Sequence, residues 1–272
     1  LYRCCEEERN QVFRSRPGFS IGEPVGKRDI APRDRLAFYL LKSVNKAIRD
    51  YHMLTDGDRV AVGVSGGKDS LALLDLLRLR QRSSVERYDL IAVHVVLQTS
   101  DGVSCAGPAV RATLEAQWMA EGQECAFETV QVEGQPDCFR CSHLRRKALF
   151  AVAERLGCHK LALGHHADDA AQTTLLNLAF HGCVETLRPR REFFGGQFVL
   201  IRPLIYVPEK ELVRYARARA WPVQPSACPH VRTSRRALVK GILYELQRED
   251  PHVRINLFRA GLRGAECEEG ET

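Results

Sequence analysis

The chain has 272 residues, 44% of them hydrophobic, and 40 Lys and Arg against 34 Asp and Glu, a formal net charge of +6. That length suits one large α/β domain or two small ones around a globular core, and the mildly basic balance is compatible with a nucleic-acid partner. No apolar run reaches membrane-spanning length and the opening residues lack the apolar stretch of a secretory signal, so a cytoplasmic protein with no membrane partner is expected. Ten cysteines in such a chain point to thiols or metal ligands in a reducing compartment rather than to disulfides.

Residues 1–32 are charged and punctuated by Arg16-Pro17-Gly18 and Gly22-Glu23-Pro24, and read as a loosely held extension. A helix is expected from about Arg33 to His52, with Leu36, Tyr39, Leu40, Val44 and Ile48 on one face. Val60–Val64 reads as a buried strand, Ser65–Ser70 as a turn, and Leu71–Leu77 as an apolar helix. A second buried strand follows at Leu90–Val96, a helix at Ala109–Glu121 and a strand at Ala126–Val132. Leu144–Leu156 is a strong helix ending at Gly157, and Leu161–Gly164 is a short strand leading into a helix from about Asp168. The expected fold is therefore α/β, a doubly wound, mostly parallel sheet with helical additions at both ends. The expected division is an extension at 1–32, the α/β domain at 33–225, and a cysteine loop with a basic helical segment at 226–272 packed on that domain. Ligands of such sheets bind beyond the carboxyl ends of the strands, where Ser65, His94 and His165 all lie.

The turn Ser65-Gly66-Gly67-Lys68-Asp69-Ser70 is an anion site in outline. Its glycines let the backbone approach a phosphate, and the helix it opens presents unpaired N–H groups. Lys68 adds a charge, Ser65 and Ser70 add hydroxyls, and Asp69 can hold Mg2+ against the phosphates. Only three residues separate Gly63 from Gly67, and an aspartate follows the lysine, so the turn is not a Walker A loop. It resembles the pyrophosphate loop of the PP-loop ATPases, which split ATP into AMP and pyrophosphate.

Cys138-Phe139-Arg140-Cys141 is a C-x-x-C that fits half a zinc site, a redox dithiol or part of an iron–sulfur site. The polar residues Gly134–Asp137 separate it from the preceding strand, which argues against a thioredoxin-type dithiol. Cys228, in Pro225-Ser226-Ala227-Cys228-Pro229-His230, is the most attractive third ligand. Three thiolates leave one metal position open, whereas His143 or His230 would close a zinc shell. Basic clusters stand at Arg145-Arg146-Lys147, in a loop at Arg188–Arg191, and at Arg232, Arg235, Arg236 and Lys240, the last lining a helix whose other face holds Leu238, Ile242 and Leu246. Such clusters suit RNA phosphates.

Taken together, these motifs resemble the tRNA 2-thiocytidine synthetase family, TtcA, over roughly residues 33–248. The resemblance is carried by Lys46–Tyr51, Gly57–Val60, Ser65–Leu71, Cys138 through Arg146, Leu163–Asp169, Ile201–Tyr206 and Cys228. It implies ATP, Mg2+ and a 4Fe-4S cluster as cofactors, with replacement of the C2 oxygen of an anticodon-loop cytidine by sulfur. It implies tRNA as the macromolecular partner; a sulfur donor such as a cysteine desulfurase and a second copy in a homodimer are further partner expectations. Carried over by position, the cluster ligands are Cys138, Cys141 and Cys228. The expected nucleotide contacts are Ser65, Gly66, Gly67, Lys68, Asp69, Ser70, His94, Gly164, His165 and Asp169, and the expected catalytic groups are Asp69, Asp168 and Arg145. The chain departs from the family at Pro229-His230-Val231 after the third cysteine and at the apolar His94-Val95-Val96-Leu97. A lysidine-type PP-loop ligase and a zinc-stapled RNA-binding module are the competing readings.

Overall fold

A computed structural model describes residues 32–99, 108–133, 138–221 and 234–264. The N-terminal extension and the loop carrying Cys228 and Arg232 lie outside the described residues. Helix α1 (Pro32–Asp50) leads into strand β1 (Asp58–Gly63), helix α2 (Lys68–Gln81), strand β2 (Tyr88–Thr99), helix α3 (Pro108–Ala120) and strand β3 (Cys125–Val132). Helix α4 (Cys138–Arg155), strand β4 (Lys160–Leu163), helix α5 (Ala167–His181) and strands β5 (Arg190–Phe193) and β6 (Phe198–Ile201) follow. Helices α6 (Glu209–Ala218), α7 (Arg235–Glu249) and α8 (Val253–Arg263) complete the described chain.

The six strands lie in the order β3-β2-β1-β4-β6-β5. All pairings are parallel except β5 with β6. The order runs outward in opposite directions from the β1–β4 pair, so the crevice at their carboxyl ends is the topological switch point. Alternation along each strand divides the core into two layers. Val60 and Val62 of β1 face a cluster built with α1, α2, α3 and α6, in which Trp118 is fully buried. Ala61, Ile91, Val93 and Val95 face α4 through Leu149, Val152 and Ala153. Helices α7 and α8 pack on α5.

Five expectations change in the structure. Tyr39 does not join the buried face of α1; it is exposed beside Phe38, with Lys42 over both rings, while Ala37 and Ala47 complete the face. Helix α4 begins at Cys138 rather than Leu144, which puts the cysteine pair in a first helical turn. Arg190 and Arg191 belong to β5, not to a loop. On α7 the buried residues are Val239 and Leu243, whereas Leu238, Ile242 and Leu246 face outward. Cys183 is disulfide-bonded, against the expectation of thiols or metal ligands in place of disulfides.

Candidate active site

The loop between β1 and α2 is shaped by its own hydroxyls. Ser70 Oγ donates to the Gly67 carbonyl at 2.9 Å and accepts from the Ser65 N–H at 3.1 Å. Ser65 Oγ lies 3.2 Å from Ser70 Oγ and accepts from the Gly67 N–H at 3.3 Å. Both serines, expected as phosphate donors, are thus occupied in holding the turn open. Gly66 has φ +84°, and a Cβ there would meet Val110 Cγ1 at 2.5 Å, so no other residue fits.

The second turn of the site, between β4 and α5, is pressed against the first. A Cβ on Gly164 would stand 3.0 Å from the Asp69 carbonyl and the Ser70 nitrogen. Gly164 therefore acts through close backbone approach, which brings His165, His166, Asp168 and Asp169 to the mouth of the loop. His166 Nε2 lies 3.8 Å from Asp69 Oδ2 and 3.4 Å from Asp169 Oδ2. Asp169 Oδ2 accepts from the His166 N–H at 3.1 Å and caps α5.

Charge at the loop is shared among four side chains. Lys68 Nζ donates to Asp69 Oδ2 at 2.9 Å and to Glu209 Oε1 at 3.1 Å. Burial works to lower the Lys68 pKa, but the two carboxylates outweigh it and raise it. Burial likewise works to raise Glu209, yet Lys240 and Lys68 bring it down to about 2. Asp69 Oδ1 is buried with no hydrogen-bond partner among the described residues, an acceptor suited to a cation or a ligand hydroxyl. Asp168 differs. It is 2% exposed, its Oδ2 accepts the Glu209 N–H at 2.7 Å, and its Oδ1 pairs with Arg254 Nε at 2.7 Å. Both oxygens tie α5 to α6 and α8, so Asp168 reaches the site through Glu209.

His94 lies within β2 rather than at its carboxyl end, with buried Val95, Val96 and Leu97 after it, and is itself fully buried. Its Nδ1 lies 2.7 Å from the Val64 carbonyl, which fixes the proton there and leaves Nε2 as an unpartnered acceptor. Burial lowers its pKa, the Val64 contact opposes this, and the nearby Arg145 and Arg111 lower it further. On the other side of the site Arg202, 7% exposed, donates from Nε to His165 Nδ1 at 3.3 Å. Burial, then Arg202, pushes His165 down to about 3. Burial, then Arg146 and Arg191, lowers Arg202 to about 10. Positive charge therefore converges here from α4, β5 and the turn after β6.

Cys141 is a buried thiol in the first turn of α4 and packs in the core layer under that helix. Among the described residues no three His, Cys, Asp or Glu side chains gather for a metal ion. The Cys138 side chain and all of Cys228 lie outside the described residues. The donor chemistry available, thiols three apart on one helical turn, fits a thiophilic metal or cluster. Sequence reasoning missed Glu209, His166, Arg202 and Arg254. An acid straight after Pro208 at a helix start and an Arg before Pro203 were the visible signals, and each is common enough to pass as helix-end or loop chemistry.

A mostly parallel sheet with this loop at its switch point defines a PP-loop protein, and the family model described as the PP-loop domain matches residues 39–226. The chain belongs to the tRNA-cytidine 2-sulfurtransferase (TtcA) family of the PP-loop ATPases. It is 36% identical over 235 residues to a tRNA-cytidine(32) 2-sulfurtransferase of Geobacter sulfurreducens, covering 84% of this chain and 90% of that one. It is 41% identical over 218 residues to the protein of that name in Alkalilimnicola ehrlichii, covering 79% and 69% respectively. Among solved structures it is similar to the U34-tRNA thiolase NcsA of Methanococcus maripaludis with its [4Fe-4S] cluster, at a TM-score of 0.66 and 26% identity, over 85% of this chain and 79% of that one.

Proposed function

We propose that this protein is an ATP-dependent tRNA sulfurtransferase that converts an anticodon-loop cytidine to 2-thiocytidine. The observation that carries the reading is the loop Ser65–Ser70 at the switch point, with Lys68 and the unpartnered Asp69 Oδ1 at its mouth. The cytidine C2 oxygen attacks the α-phosphorus of ATP, the bond to pyrophosphate breaks, and an O-adenylated base forms. A sulfur nucleophile then attacks C2, a C–S bond replaces the C–O bond, and AMP leaves with the oxygen. The exchange needs this activation because the C2 oxygen alone is a poor leaving group.

The chain's own groups do the following. Lys68 and the α2 N-terminus hold the departing phosphates. Asp69 Oδ1 would hold Mg2+, which would offset the phosphate charge. Arg145 and Arg146, on the helix that carries the cysteine pair, position the RNA and offset charge on the reacting base. Arg202 adds a fixed positive charge, and His165, which accepts its N–H, stays neutral near pH 7. A 4Fe-4S cluster held by Cys138, Cys141 and Cys228 would supply the sulfur nucleophile when bound. The sulfur itself must come from a donor such as a cysteine desulfurase, because each turnover consumes one. No described helix is long and apolar enough to cross a membrane, and a cytoplasmic homodimer working on tRNA is the assembly we carry forward.

The reading is tested with anaerobically purified protein, unmodified tRNA, a sulfide source and ATP. Formation of 2-thiocytidine with one AMP and one pyrophosphate is expected, and Lys68→Ala loses both products. Release of ADP and phosphate, or lysidine in place of 2-thiocytidine, overturns it.

A further inference from the structure

Glu209 has no part in the reaction just described, yet its carboxylate touches the loop lysine. Glu209 Oε1 is shared: it accepts from Lys68 Nζ at 3.1 Å and from Lys240 Nζ at 3.0 Å, while Oε2 takes Lys240 at 2.9 Å. The backbone of Glu209 is held separately, through its N–H to Asp168 Oδ2 at 2.7 Å. Its side chain is therefore not needed to place α6. Lys68 has three N–H donors, and Asp69 and Glu209 occupy two of them. The Lys68 and Glu209 side chains are each only 22% exposed, so salt and water screen the pair incompletely.

A phosphate that reaches the loop must win Lys68 from this carboxylate. We propose that Glu209 is a built-in competitor for Lys68, a positioning residue that takes the ammonium back as pyrophosphate leaves and so limits how tightly pyrophosphate and ATP are held. Lys240 sets the strength of that competition. By sharing Oε1 it draws off part of the Glu209 charge that would otherwise act on Lys68. A loop lysine without such a competitor would hold the trianionic or tetraanionic product longest when it most needs to leave. The proposal rests on reading Ser65–Ser70 as the pyrophosphate site.

The experiment is calorimetric titration of inorganic pyrophosphate into the full chain without RNA. Glu209→Gln keeps the shape and removes the charge, and about tenfold tighter binding is expected. Lys240→Met, at an exposed position, leaves the undivided Glu209 charge on Lys68, and about threefold weaker binding is expected. Glu211→Gln removes a charge from the same helix turn that pairs with Arg214 rather than Lys68, and leaves the affinity unchanged. Glu209→Asp restores affinity close to the wild type. In turnover, Glu209→Gln lowers KM for ATP and lowers kcat together, because product leaves slowly; a merely structural role would not move both downward. Unchanged or weaker pyrophosphate binding by Glu209→Gln, or equal tightening by Glu211→Gln, overturns the proposal while leaving the loop assignment intact. A wild-type protein that binds no pyrophosphate overturns the loop assignment itself.

Discussion

Gly164 and His94 show how single residues shape the site. A methyl group on Gly164 would push on the peptide between Asp69 and Ser70. Backbone cannot swing aside as a side chain can, so Gly164→Ala should cost about 1–3 kcal/mol of stability and weaken ATP binding more than that loss explains. Thermal melts with and without an ATP analogue separate the two effects. His94 is buried neutral, and its pKa in the folded chain lies below the ordinary 6.5. The unfolded chain therefore takes up that proton first. The His94 contribution is complete above about pH 6.5 and is lost as the pH falls below it. The melting temperature should drop between about pH 7 and about pH 5, and less so in His94→Gln, whose amide can still donate to Val64. A drop of equal size in both proteins would remove His94 from the account. At this scale the anion loop was legible because Ser, Gly, Lys and Asp at fixed offsets have few other uses. Glu209 was not, because its partners stand 141 residues before it and 31 after it.

Helices α5, α6 and α8 meet at one carboxylate. Asp168 bonds the first N–H of α6 and the guanidinium of Arg254, itself 29% exposed. Asp168→Asn keeps one acceptor but leaves Arg254 without its counter-charge, and should cost about 2 kcal/mol, read as a lower denaturation midpoint. A variant with full stability and lost turnover would instead make Asp168 a direct participant. Element boundaries in the sheet were readable from apolar runs bounded by polar turns. The antiparallel β5–β6 pair was hidden, because strands of four residues flanked by arginines carry too few alternations to register. On α7, apolar residues occupy two adjacent stripes. Nothing in the helix period says which stripe is buried; packing against α5 selects Val239 and Leu243.

For the molecule as a whole, most of the core layer under α4 stands apart from the cysteine pair, although Cys141 itself packs in it. Helix α4 is anchored by Leu149, Val152 and Ala153, two to three turns beyond Cys141. Removing iron by air and chelator should therefore abolish thiolation while changing the melting temperature and ATP binding little. Cys141→Ser should do the same. Cys158→Ser should keep its metal content, because burial pushes that thiol up to about 11 and it stands at the far end of the fold from the loop. A collapse of folding on iron loss would show that the cluster staples the domain. The two edges of the sheet differ in another respect. At one edge stands β5, four residues long, with Arg190, Arg191 and Glu192 in its sequence and its direction reversed against the rest. At the other stands β3, eight residues of parallel strand whose Glu128, Thr129 and Gln131 bond to Arg155, Arg111 and Gln98. Short, charged strands make poor templates for a foreign chain. Strand-to-strand association between copies, whether in crowded cells or in concentrated preparations, is thereby disfavoured on the β5 side, where Arg191 stands beside the reaction centre.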